Sequence, residues 1–419
     1  MMFLLSFLVM VTGLQSLANS QLQNTLTTVH RLVTGLKSLE TAQLPDTLTT
    51  DQRPKPDPEC FMTPSQIAAK YGYRLDSHWV TTEDGYILEI HNIPKQGAPV
   101  VFLQHGLVDS SMTWMLNRKE GSFAFILSDN GFDVWMGNVR GNTFARNHTT
   151  LSVKSDEFWD FSFDEMNSID LPNMVDYVLN KTVQRDLFYV GHSQGTEIGF
   201  TQFSRNVELS KKIKLFIALA PVARIDHAAG IFGYLSEFQR IIEWFLKEFH
   251  IKEFLPSNWF TKGFATMVCP EEPALCSEVL FVVGGYSHGN LDSSRNDIYI
   301  SHTPAGTSVK NVIHWAQMKK AKKLQMFDFG SKKENMEHYG TPYPPEYNIT
   351  GLKVPTVLVT GDNDYLADPT DELWLIQQIR QSVVKFIDLD NFNHMDFLWS
   401  MKAPTRVYYP VIDIMKSML

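Results

Sequence analysis

Cysteine is scarce in this chain, which has three in 419 residues: Cys60, Cys269 and Cys276. So small a set excludes a fold that depends on a framework of disulfides. Cys269 and Cys276 are close enough to form one local bridge, which we expect, and Cys60 is then either buried or paired between molecules. Neither the cysteines nor the thirteen histidines fall at metal-ligand spacings, so we assign no metal site and no cofactor.

An excess of positive charge is also missing. The chain has 37 Lys and Arg residues against 46 Asp and Glu residues, which gives a formal net charge of −9. This balance disfavours binding to polyanions, so the sequence predicts no nucleic-acid partner. Lysine pairs at 319–320, 322–323 and 332–333 are interpreted as solvated surface, with contact to an anionic lipid surface as the alternative.

The N-terminal residues 1–18 are mostly apolar, but polar residues interrupt them and the run is too short to span a bilayer. Small residues at Ala18 and Ser20 fit a signal peptidase site. We therefore predict a signal peptide over 1–20, a secreted mature protein and no transmembrane anchor. Three Asn-x-Thr glycosylation sequons agree with the secretory route: Asn147, Asn180 and Asn348.

Residues 21–58 are not expected to form a domain. They contain two similar pieces, 21–28 and 43–50, followed by a polar run that contains proline. Two copies do not make a repeat architecture, and the composition is typical of a flexible leader or a propeptide.

The most informative motif is the Gly-His-Ser-Gln-Gly sequence at 191–195. It follows an apolar strand predicted over 187–190 and opens a helix-compatible run over 196–203. Glycines on both sides of a serine are typical of the strained strand-to-helix turn that exposes a nucleophilic hydroxyl. The pattern predicts Ser193 as the nucleophile of an α/β-hydrolase. The alternative is a glycine-rich turn that contains a serine.

A serine nucleophile needs a base and an acid that orients the base. His394 lies in the loop after a strand predicted over 384–389, and the order serine, aspartate, histidine is that of an α/β-hydrolase. Spacing alone does not choose among four candidate acids: Asp362, Asp364, Asp368 and Asp396. The alternative role for three of them is turn and helix-cap hydrogen bonding.

Two backbone N–H groups should face the oxyanion that develops during acyl transfer. The residue after the nucleophile supplies one, which makes Gln194 the first predicted donor. The strand that begins at Val100 ends in a His-Gly pair, and the N–H of Leu107 is the second predicted donor. His105 and His192 are interpreted as structural histidines that bond to the backbone.

Blocks along most of the chain resemble the acid lipases, the family that contains the gastric and lysosomal acid lipases. The matching blocks include 82–88, 103–107, 137–143, 158–166, 191–196, 301–308, 363–364, 366–368 and 394–397. The resemblance implies the following site residues: Ser193, Asp364 and His394 as the triad, with Leu107 and Gln194 as oxyanion donors. It thus decides among the aspartates, and it also implies the disulfide between Cys269 and Cys276.

The fold expected from motif and resemblance is an α/β-hydrolase: a mostly parallel central sheet with helices on both faces and an inserted, mainly helical cap. About 120 residues separate the strands predicted at 215–220 and 357–361, far more than a crossover needs. The predicted division is a core over 59–223 and 348–419, with the cap over 224–347. A helix predicted over 231–249 has an apolar face that either packs on the core or, with nearby aromatic residues, encloses acyl chains. These aromatic residues are Trp244, Trp259, Phe260 and Phe264.

The resemblance implies a secreted serine lipase that hydrolyses long-chain fatty acid esters at an oil–water or membrane surface. Triacylglycerols are the expected substrates, with cholesteryl esters as a further option and the lysosomal lumen as the alternative location. Two other functions stay open: a silent lipid-binding or storage protein, and a carboxylesterase for smaller esters. The intact Ser193, Asp364 and His394 argue against the silent protein.

Overall fold

The computed structural model describes residues 55–230, 251–256 and 259–419, except the side chains of 259–261. Some predictions lie outside the described residues: the signal peptide, positions 21–54 of the leader, the cap helix over 231–249 with Trp244, and the side chains of Trp259 and Phe260.

A nine-stranded sheet forms the centre of the described chain, and a two-stranded sheet lies apart from it. The strands are β1 (Asp76–Thr81), β2 (Tyr86–Ile93), β3 (Val100–Gln104), β4 (Asp133–Met136), β5 (Asn147–His148), β6 (Leu187–His192), β7 (Ile213–Leu219), β8 (Glu253–Phe254), β9 (Thr307–Ser308), β10 (Thr356–Gly361) and β11 (Val383–Leu389).

The order across the large sheet is β1-β2-β4-β3-β6-β7-β10-β11, with β5 beside β2. All neighbours from β4 to β11 run parallel, whereas β1, β2 and β5 add antiparallel pairs at one edge. The central strands β3, β6 and β10 are buried along their whole length, because parallel strands are covered on both faces. The predicted mostly parallel sheet is confirmed.

Helices connect these strands and pack around the sheet. They are α1 (Pro64–Lys70), α2 (Phe123–Asp129), α3 (Phe163–Glu165), α4 (Leu171–Thr182), α5 (Gln194–Arg205), α6 (Val207–Ser210), α7 (Trp259–Val268), α8 (Pro273–Gly284), α9 (Asn296–His302), α10 (Val309–Ala321), α11 (Lys332–Tyr339), α12 (Pro369–Ile379), α13 (Asp396–Trp399) and α14 (Tyr409–Ser417). A π-helical turn, Met166–Asp170, joins α3 to α4. No helix of the described ranges is long and apolar enough to cross a membrane.

The chain leaves the sheet between β7 and β10. The described part of this insertion contains α7 to α11 and the β8–β9 pair, so it is mainly helical. The expected disulfide joins Cys269 and Cys276, and Cys60 is a free, buried thiol. Phe264 is partly buried against the hydrophobic core.

The first described residues form polar contacts between the N-terminal side of the core and the insertion. The backbone amide of Asp57 donates to Asp297 Oδ2 at 2.9 Å. Glu59 and Arg295 form an ion pair at 2.5 Å in which both side chains are buried. Asp57 belongs to the predicted leader, so at least one contact with the insertion is made by a residue before 59.

The carboxyl ends of parallel strands gather at one edge of a sheet, and ligands bind in the crevice outside them. The loops after β3, β6, β10 and β11 carry the predicted site residues in chain order: Leu107, Ser193, Asp364 and His394.

Candidate active site

Ser193 lies at the junction of β6 and α5 in a conformation that L-residues rarely adopt. Its φ is 54° and its ψ is −123°. The flanking glycines are required sterically, because a Cβ on Gly191 would lie 2.5 Å from the carbonyl oxygen of Gly195. A Cβ on Gly195 would collide with the carbonyl oxygen of Gln104 on β3. The motif therefore forms the tight, strained turn that the sequence predicts.

His394 and Asp364 form a buried hydrogen-bonded pair. His394 Nδ1 lies 2.8 Å from Asp364 Oδ2 and 2.9 Å from Oδ1. The same carboxylate accepts the backbone amides of Leu366 and Ala367, each at 2.8 Å. Because Nδ1 faces an acceptor, it carries the proton, and Nε2 of His394 is left as the basic nitrogen.

The other three acidic candidates have different partners. Asp362 accepts the amide of Asn391 at 2.7 Å, and Asp368 caps α12 through the amide of Thr370 at 2.7 Å. Asp396 accepts the amide of Asn393 and the side chain of Asn290, each at 2.9 Å. Among the described residues, Asp364 is thus the one acid of the four that hydrogen-bonds the His394 ring.

The ring of His394 is placed beside the serine turn by His192, the residue before Ser193. His192 Nε2 lies 2.9 Å from the carbonyl oxygen of His394, and the two ring centroids are 4.8 Å apart. Burial lowers the pKa of His192 well below its ordinary value, so this ring is neutral. The Ser193 hydroxyl makes no hydrogen bond to the described residues. Such contacts often tighten only when substrate binds.

The two predicted oxyanion donors flank the serine. Gln194 is the first residue of α5, where a helix leaves its N–H without an intrahelical acceptor. Leu107 follows Gly106, and a Cβ on Gly106 would lie 2.9 Å from Cβ of Ser193. The backbone after β3 therefore runs directly against Ser193. Neither amide donates to the backbone of another described residue.

Two residues of the insertion, neither of them predicted from the sequence, hold the side chain of Gln194. Trp315 Nε1 donates to Gln194 Oε1 at 2.7 Å, and Asn311 Nδ2 donates to the same oxygen at 3.0 Å. Both donors lie on α10 and are buried. No local motif marks them, because the contact joins positions more than a hundred residues apart.

The remaining site predictions concern glycans and metals. All three sequon asparagines, Asn147, Asn180 and Asn348, are exposed. The described residues contain no group of three or more His, Cys, Asp or Glu side chains that could hold a metal ion.

Comparison with known proteins agrees with this architecture. A family model described as the alpha/beta hydrolase fold matches residues 99–400, and one described as a partial alpha/beta-hydrolase lipase region matches residues 64–118. A crystal structure of a predicted lipase from Sulfolobus solfataricus superposes with a TM-score of 0.57 over 83% of this chain and 95% of that chain, at 14% sequence identity. Fold and matches together define an α/β-hydrolase.

Curated relatives show which family of α/β-hydrolases the chain resembles. The lysosomal acid lipase/cholesteryl ester hydrolase of Macaca fascicularis is 45% identical over 372 residues, covering 86% of this chain and 92% of the relative. The gastric triacylglycerol lipase of Bos taurus is 43% identical over 369 residues, with the same coverage of each chain. Human lipase member K is 43% identical over 373 residues, covering 87% and 93%. The chain belongs to the acid lipase family and is an ester-hydrolysing lipase.

Proposed function

We propose that this lipase hydrolyses esters of long-chain fatty acids, triacylglycerols above all, through an acyl-enzyme on Ser193. The observation that carries the proposal is the buried His394–Asp364 pair beside the strained serine turn. Ser193 is the nucleophile, His394 the general base and acid, and Asp364 the residue that holds the imidazole and stabilises its charged form.

In the first half-reaction, Ser193 Oγ attacks the ester carbonyl carbon while His394 Nε2 takes the hydroxyl proton. The N–H groups of Leu107 and Gln194 donate to the oxyanion of the tetrahedral intermediate, which is worth about a hundredfold to a thousandfold per donor. The intermediate then breaks its bond to the alkoxy oxygen, and His394 protonates the leaving alcohol. The product is an acyl ester on Ser193.

In the second half-reaction, water attacks the acyl-enzyme while His394 takes one of its protons. The second tetrahedral intermediate breaks its bond to Ser193 Oγ, which regains a proton from His394, and the fatty acid is released. No cofactor or metal takes part in these steps.

The substrate class rests on the relatives, whose names give triacylglycerols and cholesteryl esters as substrates. We propose triacylglycerol as the principal substrate, cholesteryl ester as the second, and an oil–water or membrane surface as the place where they are met. The protein acts after secretion or in the lysosomal lumen. The exposed sequons and the predicted signal peptide support this route.

The proposal is tested by hydrolysis of emulsified long-chain triacylglycerol and of a soluble short-chain ester, from about pH 4 to 8, with Ser193→Ala as the blank. We expect strong activity on the emulsion and a loss on the order of a millionfold in the variant. Activity on the short ester alone would indicate a carboxylesterase instead. A folded protein without activity on either would indicate a silent lipid-binding protein.

A further inference from the structure

The loop after β3 contains one histidine whose hydrogen bonds are all made to backbone and amide groups near the nucleophile. His105 Nδ1 lies 2.8 Å from the carbonyl oxygen of Gly106. Its other nitrogen, Nε2, lies 3.2 Å from the amide nitrogen of Val139 and 3.1 Å from Nδ2 of Asn142. The side chain is buried.

These partners settle the protonation of the ring. Gly106 offers an acceptor, so Nδ1 must carry the proton, and Val139 offers a donor, so Nε2 must accept. The Asn142 amide is oriented by its own oxygen, which accepts the amide of Phe144 at 3.0 Å. Burial lowers the pKa of His105 to about 4, so the ring is neutral over most of the pH range in which a lipase is assayed.

The carbonyl that His105 holds belongs to the peptide group between Gly106 and Leu107. A trans peptide is planar, and its C=O and N–H point in opposite directions. Fixing the carbonyl oxygen of Gly106 therefore fixes the direction of the Leu107 N–H. Within the described residues, His105 Nδ1 is the only hydrogen-bond partner of that carbonyl oxygen.

The two residues that follow Leu107 are also fixed by hydrogen bonds. The carbonyl oxygen of Val108 accepts the amide of Ala305, at 2.6 Å, and Asp109 Oδ1 accepts the hydroxyl of Thr303 at 3.1 Å. Both partners belong to the insertion. The loop is thus supported after Leu107 by the insertion and before it by His105.

We infer that His105 is a positioning residue for ester hydrolysis: its Nδ1–H orients the Gly106–Leu107 peptide so that the Leu107 N–H faces the oxyanion. The inference rests on the proposed function, because it assigns the task of His105 within that reaction. It predicts an effect on the transition state rather than on substrate binding.

Two substitutions separate this role from simple packing. In His105→Asn the side-chain amide nitrogen sits where Nδ1 was, so the donor to Gly106 is kept. In His105→Gln the amide reaches the position of Nε2 instead, and the donor is lost although the side-chain volume is closer to that of histidine. A matched control is His78→Gln on β1, where His78 Nδ1 pairs with the hydroxyl of Tyr177 away from the site.

The measurement is kcat and KM on a soluble ester, together with the inhibition constant of a long-chain alkylboronic acid. Boron forms a tetrahedral adduct with a serine hydroxyl and places an oxygen where the oxyanion would be. We expect His105→Gln to lower kcat by about 10- to 100-fold, somewhat less than complete loss of one donor. KM should stay near the native value, and the inhibition constant should rise by the same factor as kcat falls. His105→Asn should recover most of both losses.

The inference is overturned if His105→Gln retains native kcat, or if Asn and Gln are equally impaired, since packing alone would then explain the loss. A rise in KM with an unchanged inhibition constant would overturn it as well. If the native protein is no more active or boronate-sensitive than Ser193→Ala, the proposed function itself fails, which is a separate outcome.

Discussion

At the residue scale, the choice of Asp364 as the acid of the proposed triad is the assignment to test first. Three other acids lie close by in the sequence or beside His394. Asp364→Asn keeps the shape of the side chain but replaces the carboxylate that stabilises a charged His394. We expect kcat to fall by about 10⁴-fold with little change in melting temperature.

Asp396→Asn is the matched control. Asp396 is also buried, and it bonds to Asn290 and Asn393 rather than to the ring. The control should lower stability and leave kcat nearly native. If Asp396→Asn removes activity while Asp364→Asn keeps it, the assignment of the acid is wrong.

Glu197 gives a prediction about pH. It is buried on α5, one turn after Ser193, and burial, with the nearby charge of Asp164, raises its pKa well above the ordinary 4.5. The folded state then binds this proton more tightly than the unfolded state. The contribution of Glu197 to stability is complete below pH 4.5 and decreases as pH rises towards the folded-state pKa.

Glu197→Gln should remove this dependence. We expect the free energy of unfolding of the native protein to fall more steeply between pH 5 and 7 than that of the variant, by up to about 1.4 kcal/mol per pH unit. Urea unfolding at several pH values measures it, with the exposed Glu337→Gln as control. Parallel curves for native protein and Glu197→Gln would contradict the account.

The sequence allows prediction of some site residues but not others, for physical reasons. Ser193 and His394 are predicted from the residues alone, because the strained turn demands glycines and the histidine has few rivals. The acid was left open by the residues themselves, since a carboxylate's partner depends on how a loop folds over its neighbours. No local sequence pattern indicates that Trp315 and Asn311 contact Gln194.

At the element scale, α10 of the insertion is coupled to the start of α5. Trp315→Phe removes the indole N–H that reaches Gln194 at 2.7 Å and keeps an aromatic ring against Phe163. Because Gln194 Oε1 then loses one of two donors in a buried site, we expect the free energy of unfolding to fall by about 1–2 kcal/mol. Urea unfolding measures the change.

Trp79→Phe is the control for that substitution, since Trp79 lies on the edge strand β1 and is 58% exposed. It should be nearly neutral. A loss in Trp315→Phe no larger than that in Trp79→Phe would show that the hydrogen bond to Gln194 contributes little to stability.

The strands of the parallel core were the most predictable elements. Runs such as Val357–Gly361 are apolar because both faces of the sheet are covered. The order of the strands could not be predicted in the same way. Strand β4 lies between β2 and β3 because of tertiary packing, and no residue of these strands indicates that order.

At the scale of the whole molecule, we expect the residues before Lys55 to be dispensable and the residues from Lys55 to Phe61 to be needed for stability. A protein that starts at Lys55 keeps the Asp57 and Glu59 contacts to the insertion, and we expect native activity and melting temperature. A protein that starts at Met62 leaves Arg295 buried without Glu59, and losing one partner of a buried ion pair costs about 3–5 kcal/mol.

Thermal unfolding and emulsion assays of the two truncated proteins measure this difference. A large loss in the protein that starts at Lys55 would show that the leader stabilises the fold. No loss in the protein that starts at Met62 would show that the buried pair is not needed. The polar composition of residues 51–58 led to a predicted core that starts at residue 59. Composition gives no sign of the contact between Asp57 and Asp297, because the two residues lie 240 positions apart.

The central claim is that Ser193 carries the acyl group. The most direct measurement is intact-protein and peptide mass spectrometry after reaction with a long-chain p-nitrophenyl phosphonate, followed in parallel with triacylglycerol hydrolysis. We expect one adduct per chain, located on Ser193, with activity lost in proportion to labelling and no adduct on Ser193→Ala. Labelling at another residue, or full hydrolysis by a completely labelled protein, would contradict it.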